Sequence, residues 1–202
     1  MGSRFDWLGP LFKRHGHRVY PRWAKDLFSL FIARLARGSR VLDLGGGTGL
    51  LAGWAKEQRP DLEVWVADPS DGMLAQVPRG IRTVRARAEA LPFEDGYFHA
   101  VAVGEALHHF DDLDRALDEI SRVLVLYGTV WIYDYDPRPL AGRLVRLFER
   151  LWGEPANFVP PDRLRRIFIE RGYMTGLQAE GFRYVLVAEL REKASGRSSP
   201  RV

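Results

Sequence analysis

Cysteine is absent from the 202-residue chain. That excludes disulfides, thiolate metal sites and every mechanism that needs a cysteine nucleophile. Also missing is any run approaching the ~18 apolar residues of a membrane-spanning helix, and Met1 to Pro10 lacks the apolar core of a secretion signal, so a cytoplasmic protein without a transmembrane segment is expected. Apolar residues make up 46% and charged residues 28%, which suits one domain with a sizeable core and leaves too little chain for two. We expect that single domain over residues 1–190, with an N-terminal lid and helix over 1–38 and an inserted lid segment over 137–161. Residues 191–202 are polar and contain Ser, Gly and Pro, the composition of a tail without fixed structure.

The net charge of +4 is unevenly spread. Residues 1–40 carry nine basic residues against two acidic ones, residues 41–136 eight against seventeen, and residues 137–202 thirteen against seven. An acidic centre between basic ends suits a cationic ligand in the middle and an anionic partner near the ends; solvated surface is the other reading of the same charges.

Apolar spacing predicts an amphipathic helix over Trp23 to Ala36, stopped by Gly38. Short β-prone runs follow at Val41 to Leu44, Glu63 to Ala67, Ile81 to Arg85, Phe98 to Val103 and Thr129 to Tyr133. Helical stretches alternate with them at Leu50 to Gln58, Asp71 to Gln76 and Leu113 to Leu124. Each parallel return needs a crossover, so the alternation predicts an α/β fold: a Rossmann-like, doubly wound, mainly parallel sheet with helices on both faces. Its ligand belongs beyond the carboxyl ends of the strands. After Asp136, prolines bracket an amphipathic stretch over Leu140 to Trp152. Asp162 then reads as the N-cap of a helix over Arg163 to Arg171, and Tyr173 to Gln178 with Phe182 to Leu190 as a C-terminal antiparallel strand pair.

The most informative segment is Val41-Leu42-Asp43-Leu44-Gly45-Gly46-Gly47-Thr48-Gly49-Leu50-Leu51, a strand, a four-glycine turn and a helix. Such a turn lets backbone approach a ligand closely. Gly47 to Ala52 also fits the loose dinucleotide fingerprint, with Asp68 about twenty residues on, where an acid grips ribose hydroxyls. Asp43 argues against a dinucleotide, because its carboxylate opposes a pyrophosphate and welcomes a ligand carrying ammonium and sulfonium groups.

Val41 to Leu51 resembles motif I of the class I S-adenosylmethionine-dependent methyltransferases. Val66 to Leu74 is similar to their second-strand segment, and Ala88 to Phe98 with Leu107 to Asp112 completes a likeness to the type 11 subgroup, which includes enzymes of quinone biosynthesis. The resemblance covers roughly Tyr20 to Tyr133. It implies S-adenosylmethionine as cofactor, with Gly45, Gly46, Gly47 and Gly49 along its methionine portion and ribose, and Gly104 at its methionine end. Asp68, followed by Pro69, would take the ribose diol, Met73 would pack on adenine, and Ala88 and Glu89 would offer backbone to the adenine edge. Tyr20 would close over the cofactor as part of the lid. Two departures stand out. The family's usual Gly-Asp-Ala is here Ala86-Arg87-Ala88, and Arg87 cannot accept a hydrogen bond, which leaves adenine recognition to backbone groups or turns Arg87 outward. Phe98-His99 replaces Phe-Asp, and Val125-Leu126-Tyr127-Gly128 replaces the Arg-Pro-Gly-Gly turn.

For transfer from an already activated sulfonium, alignment does most of the work and a base is needed only where the acceptor must lose a proton. Glu105, His108 and His109 follow the fourth strand, where the family presents residues to substrate, and His109 is the preferred base. Asp134 and Asp136 at the end of the fifth strand are possible metal ligands, but alternate acids at a strand end suit simple solvation, and no metal is expected. Leu140 to Trp152 is expected to wall the acceptor pocket with its apolar face, while Arg143, Arg146 and Arg150 would meet an anionic group or a membrane surface. The acceptor is then a small molecule, aromatic or anionic. An RNA acceptor is a less favoured alternative, as is a cofactor-binding regulatory protein without transferase activity.

Overall fold

The computed structural model describes residues 20–151 and 156–192. The chain runs α1 (Arg22–Ala33), β1 (Arg40–Leu44), α2 (Leu50–Gln58), β2 (Glu63–Asp68), α3 (Asp71–Leu74), β3 (Arg82–Arg85) and β4 (Phe98–Gly104). A single 3₁₀ turn (Leu107–His109) leads to α4 (Leu113–Val123), β5 (Leu124–Tyr135), α5 (Leu140–Leu151), α6 (Pro161–Glu170), β6 (Tyr173–Glu180) and β7 (Arg183–Leu190). The strands form one sheet in the order β3-β2-β1-β4-β5-β7-β6. β1 to β5 are parallel and β7 joins β5 and β6 antiparallel, the expected Rossmann-like arrangement. Residues 1–19, Trp152 and Pro155 of the expected lid segments, and 193–202 of the tail lie outside the described residues.

Strand periodicity decides which helix covers which face. Val41 in β1, with Ala100, Ala102, Trp131 and Tyr133, packs against Phe28 and Ile32 of α1 and Leu51 and Ala55 of α2. Leu42 and Leu44, with Val101, Val103, Val130 and Ile132, face Leu117 and Ile120 of α4 and Leu164 and Phe168 of α6. Both faces of β1 are thus buried, which is why the strand reads as an unbroken apolar run interrupted only by Asp43.

Three local expectations are corrected. Asp162 is not the N-cap of α6: Pro160 caps and Pro161 opens the helix, since a ring-fixed φ without an N–H suits the first helical position. Asp162 sits in the first turn and pairs with Arg138 at 2.6 Å. β5 begins at Leu124, five residues earlier than expected, because Phe98 pairs with Leu124 and Ala100 with Thr129, so Val125 to Gly128 bulge out of the ladder. Tyr127 takes φ 65° there, a left-handed position the family fills with a glycine turn. α1 stops at Ala33, with Arg34 as its C-cap, and the chain turns at Gly38, φ 73°.

Candidate active site

β1, β4 and β5 end on the same side of the sheet, and their C-terminal loops surround a cavity of about 570 Å³. This is the crevice where α/β sheets bind ligands. The glycine turn forms its floor. Gly45 and Gly47 have φ 66° and 53°, and the Gly45 N–H donates to the Ala67 carbonyl at 2.8 Å. A Cβ on Gly46 would lie 2.5 Å from the Asp43 carboxyl carbon, and one on Gly104 would lie 2.1 Å from the Tyr20 hydroxyl. Neither position admits a side chain without moving a neighbour.

Asp68 ends β2 beside this floor. Its carboxylate accepts from the Gly47 N–H at 3.0 Å and the Ser70 N–H at 2.9 Å. Those two bonds tie the glycine turn to the second strand and orient a group with about four acceptor sites toward the cavity. Met73 lines the same end, beyond the Ser70 cap of α3. Asp43 is placed differently: it is buried beneath the turn, accepts from the Ala52 N–H of α2 at 3.0 Å, and does not line the cavity. Burial pushes its carboxyl up to about 7; the Ala52 bond opposes the rise and the Asp68 charge adds to it. Gly49 is likewise outside the lining, as the left-handed N-cap of α2. Tyr20, Gly45, Gly46, Gly47, Pro69, Ala88, Glu89 and Gly104 all border the cavity.

Arg87 turns outward. Its side chain is 59% exposed, pairs with Asp111 and stands 3.6 Å from Glu89. Glu89 in turn accepts from the Asp111 N–H at 2.8 Å and the Asp112 N–H at 3.2 Å, so the Arg87–Glu89 loop is closed by side chains. His99 lies at the opposite end of β4, where its Nδ1 accepts from the Arg40 N–H at 3.0 Å. That departure from the family pattern is remote from the cavity.

At the other end of the cavity, the parallel register of β4 and β5 sets Gly104 against Tyr133. It thereby brings the residues after β4 to the end of β5. The His108 Nδ1 meets the Asp134 carboxylate at 2.7 Å, and the His108 backbone N–H donates to the same carboxylate at 3.2 Å. Both side chains are 2% exposed. Phe158 stacks on the imidazole at 4.1 Å, and Asn157 holds that loop by donating its backbone N–H to the His108 carbonyl at 2.9 Å. His109 borders the cavity beside His108, ring centres 4.1 Å apart. Spacing alone could not single out Asp134, which is brought to His108 by strand pairing.

Glu105 borders the cavity, at the place after the fourth strand where the family likeness expects a residue facing the substrate. It adopts φ 54° directly after β4, a left-handed conformation that is uncommon outside glycine. Its Oε1 is buried without a hydrogen-bond partner. Burial, then the Asp134 charge, pushes its carboxyl up to about 8. Among the described residues, the lining carries the carboxyl groups of Asp68, Glu89, Glu105, Asp111 and Glu149 against the guanidinium of Arg87. Such a cavity favours a cationic ligand over a pyrophosphate. Among the described residues, no group of three or more His, Asp or Glu could hold a metal ion.

The α5 wall differs from expectation. Gly142 is buried against the chain, a Cβ there lying 1.8 Å from the Asp136 carbonyl oxygen, and Val145 and Glu149 border the cavity. Close approach at the glycine turns this narrow face inward. The apolar face of Leu140, Leu144, Leu147, Phe148 and Leu151 points to solvent, every one more than half exposed.

Comparison with known proteins agrees with this geometry. The methyltransferase domain family, type 11, matches residues 42–132. The ubiquinone/menaquinone biosynthesis C-methyltransferase UbiE of Neisseria meningitidis serogroup C is 34% identical over 153 residues, covering 70% of this chain and 60% of the relative. The corresponding enzyme of Chromobacterium violaceum is 32% identical over 169 residues, covering 72% and 67%. The chain thus spans about 60% of the length of the first curated relatives it matches. Among solved structures, an S-adenosylmethionine-dependent methyltransferase from Thermotoga maritima aligns with TM-score 0.74 at 21% identity, covering 92% of this chain and 98% of that one. One from Mesorhizobium loti aligns with TM-score 0.69 at 18% identity, covering 82% and 97%. These two likenesses show the fold. No helix among the described residues is long and apolar enough to cross a membrane.

Proposed function

The chain belongs to the type 11 family of class I S-adenosylmethionine-dependent methyltransferases, and from that membership we propose that it methylates a small, aromatic, quinone-type acceptor bearing an ionisable hydroxyl. The His108–Asp134 pair at the acceptor end of the cavity carries this reading. The residues present fit the cofactor: Gly45, Gly46, Gly47 and Gly104 border the cavity with bare backbone, Asp68 is an oriented acceptor for a vicinal diol, and the acidic lining suits a cation. When bound, the cofactor supplies an electrophilic methyl group on a sulfonium.

The chain's own residues prepare the acceptor. With Nδ1–H donating to Asp134, the imidazole of His108 keeps Nε2 as its basic nitrogen, and Nε2 takes the hydroxyl proton of the acceptor. The Asp134 carboxylate then stabilises the imidazolium, and Phe158 stacked on the ring excludes water from it. We assign the base to His108 rather than His109 on the buried carboxylate alone. Glu105, with its carboxyl raised to about 8, is protonated at neutral pH and offers an O–H to an acceptor oxygen. The relatives' C-methylation chemistry suits an acceptor whose ring carbon gains electron density as the hydroxyl ionises. The RNA reading has less behind it, since the cavity is acidic. The lack of cysteine fits a cytoplasmic enzyme.

Isothermal titration with S-adenosylhomocysteine, followed by transfer assays from labelled S-adenosylmethionine to phenols and reduced quinones, tests the proposal. Binding plus transfer to a hydroxylated ring is expected. Absence of binding at millimolar concentration overturns it, and binding without turnover across the panel points to the regulatory alternative.

A further inference from the structure

We propose that α5 is the surface by which the protein docks on an anionic lipid bilayer. The observation is the division of one short helix into three faces. Gly142, Val145 and Glu149 look inward, as described. Leu140, Leu144, Leu147, Phe148 and Leu151 recur at i, i+4, i+7, i+8 and i+11, a single stripe turned away from the body of the protein, each side chain more than half exposed. Arg143, Arg146 and Arg150 form a third row between them at i, i+3 and i+7. Soluble domains scatter exposed apolar residues singly, and a contiguous stripe edged by arginines is the composition of a helix lying in a membrane interface.

Charge selects the occupant. Residues 1–19 contain Arg4, Lys13, Arg14 and Arg18 against Asp6 alone, and residues 193–202 contain Lys193, Arg197 and Arg201 with no acid. Either segment of the chain would bring like charge to the arginine row. A second copy pairing antiparallel through the same stripe, about a two-fold axis across the helix, would likewise set its own arginine row on the same side. An anionic headgroup layer accepts the leucines and Phe148 below and the guanidinium groups at its surface, about 1 kcal/mol or fivefold in affinity for each arginine.

The placement also has a use. The inward residues Val145 and Glu149 border the cavity while the outward ones face solvent, so docking by α5 would leave one helix between the cavity and the layer in which an apolar acceptor dissolves.

Co-sedimentation of the full chain with vesicles of phosphatidylcholine, alone or with about one-third phosphatidylglycerol, is the test. Binding is expected only to the anionic vesicles and should weaken with salt. Replacing Arg143, Arg146 and Arg150 by Gln should cost on the order of 10²-fold in affinity, and Leu144→Ser with Leu147→Ser on the order of tenfold. Unchanged circular dichroism and melting show that the variants fold. Three results overturn the proposal: no binding to either vesicle, equal binding to both, or anionic binding that survives the leucine changes. A dimer by light scattering that the leucine changes dissociate, without vesicle binding, gives the face to a second copy instead.

Discussion

The carboxylate of Asp134 approaches Nδ1 of His108 at 2.7 Å, and both side chains are almost fully withdrawn from solvent. A buried imidazole held by an acid at one nitrogen has a fixed tautomer and orientation, and its other nitrogen works as a base when the first is anchored.

His108→Ala should therefore lower kcat by on the order of 10²–10⁴-fold. Asp134→Asn should lower it less, while S-adenosylhomocysteine affinity stays unchanged in both. His109→Ala should leave kcat within a few-fold of the parent. Steady-state kinetics beside calorimetric binding separates the two histidines, and a reversed order would move the base to His109.

Asp68→Ala should weaken S-adenosylhomocysteine binding by on the order of 10²-fold, the scale of losing charge-assisted hydrogen bonds. It should also loosen the glycine turn, because the Gly47 N–H loses its acceptor. Asp68→Asn, which keeps an acceptor oxygen without the charge, should fall between. Titration calorimetry reads the series.

Gly104→Ala places a methyl 2.1 Å from the Tyr20 hydroxyl and 2.7 Å from a Leu51 methyl. A loss of about 1–3 kcal/mol in stability is expected from such overpacking. Tyr20→Phe removes the nearer of the two obstacles, so the double variant should lose less than the sum of the single changes. Denaturant unfolding of all four proteins gives the coupling, and strict additivity would contradict the packing described here.

Asp43 and Glu105 hold protons to about 7 and 8 in the folded chain, above 3.8 and 4.5 for the solvated groups. A carboxyl that binds its proton more tightly when folded contributes stability that is complete below its unfolded pKa and is lost as pH climbs through the interval to the folded value. Melting temperature of the ligand-free protein should thus fall between about pH 4 and pH 8, by an equivalent on the order of several kcal/mol. Asp43→Asn combined with Glu105→Gln should flatten the fall. Scanning calorimetry across that range checks it.

The sheet was legible because its signals are local. Alternating apolar runs, four glycines in five positions and acids at strand ends each report on a few neighbouring residues, and all seven strands lie where those runs are. What escaped is what non-local packing decides. Nothing near His108 announces Asp134, which reaches it through the β4–β5 pairing of Gly104 with Tyr133. The amphipathic pattern of Leu140 to Leu151 has an obvious apolar face, and the natural expectation sends that face inward. Gly142 reverses it, since only a residue without a side chain could sit against the Asp136 carbonyl. Glu105 could be placed after the fourth strand, but its burial and left-handed backbone could not, because neither has a composition signature.

The two ends of the cavity are contributed by separate lengths of chain. The glycine turn, Asp68, Met73 and the Ala88–Glu89 edge all come from residues 45 to 89, whereas the outer wall is one excursion that leaves the sheet at Asp136, whose N–H donates to the Phe182 carbonyl at 2.8 Å, and returns at Pro160 to open α6. A change of length or polarity in that excursion would therefore reshape the outer wall, and through Phe158 the surroundings of His108, without touching any residue of the glycine turn or its Asp68 tie.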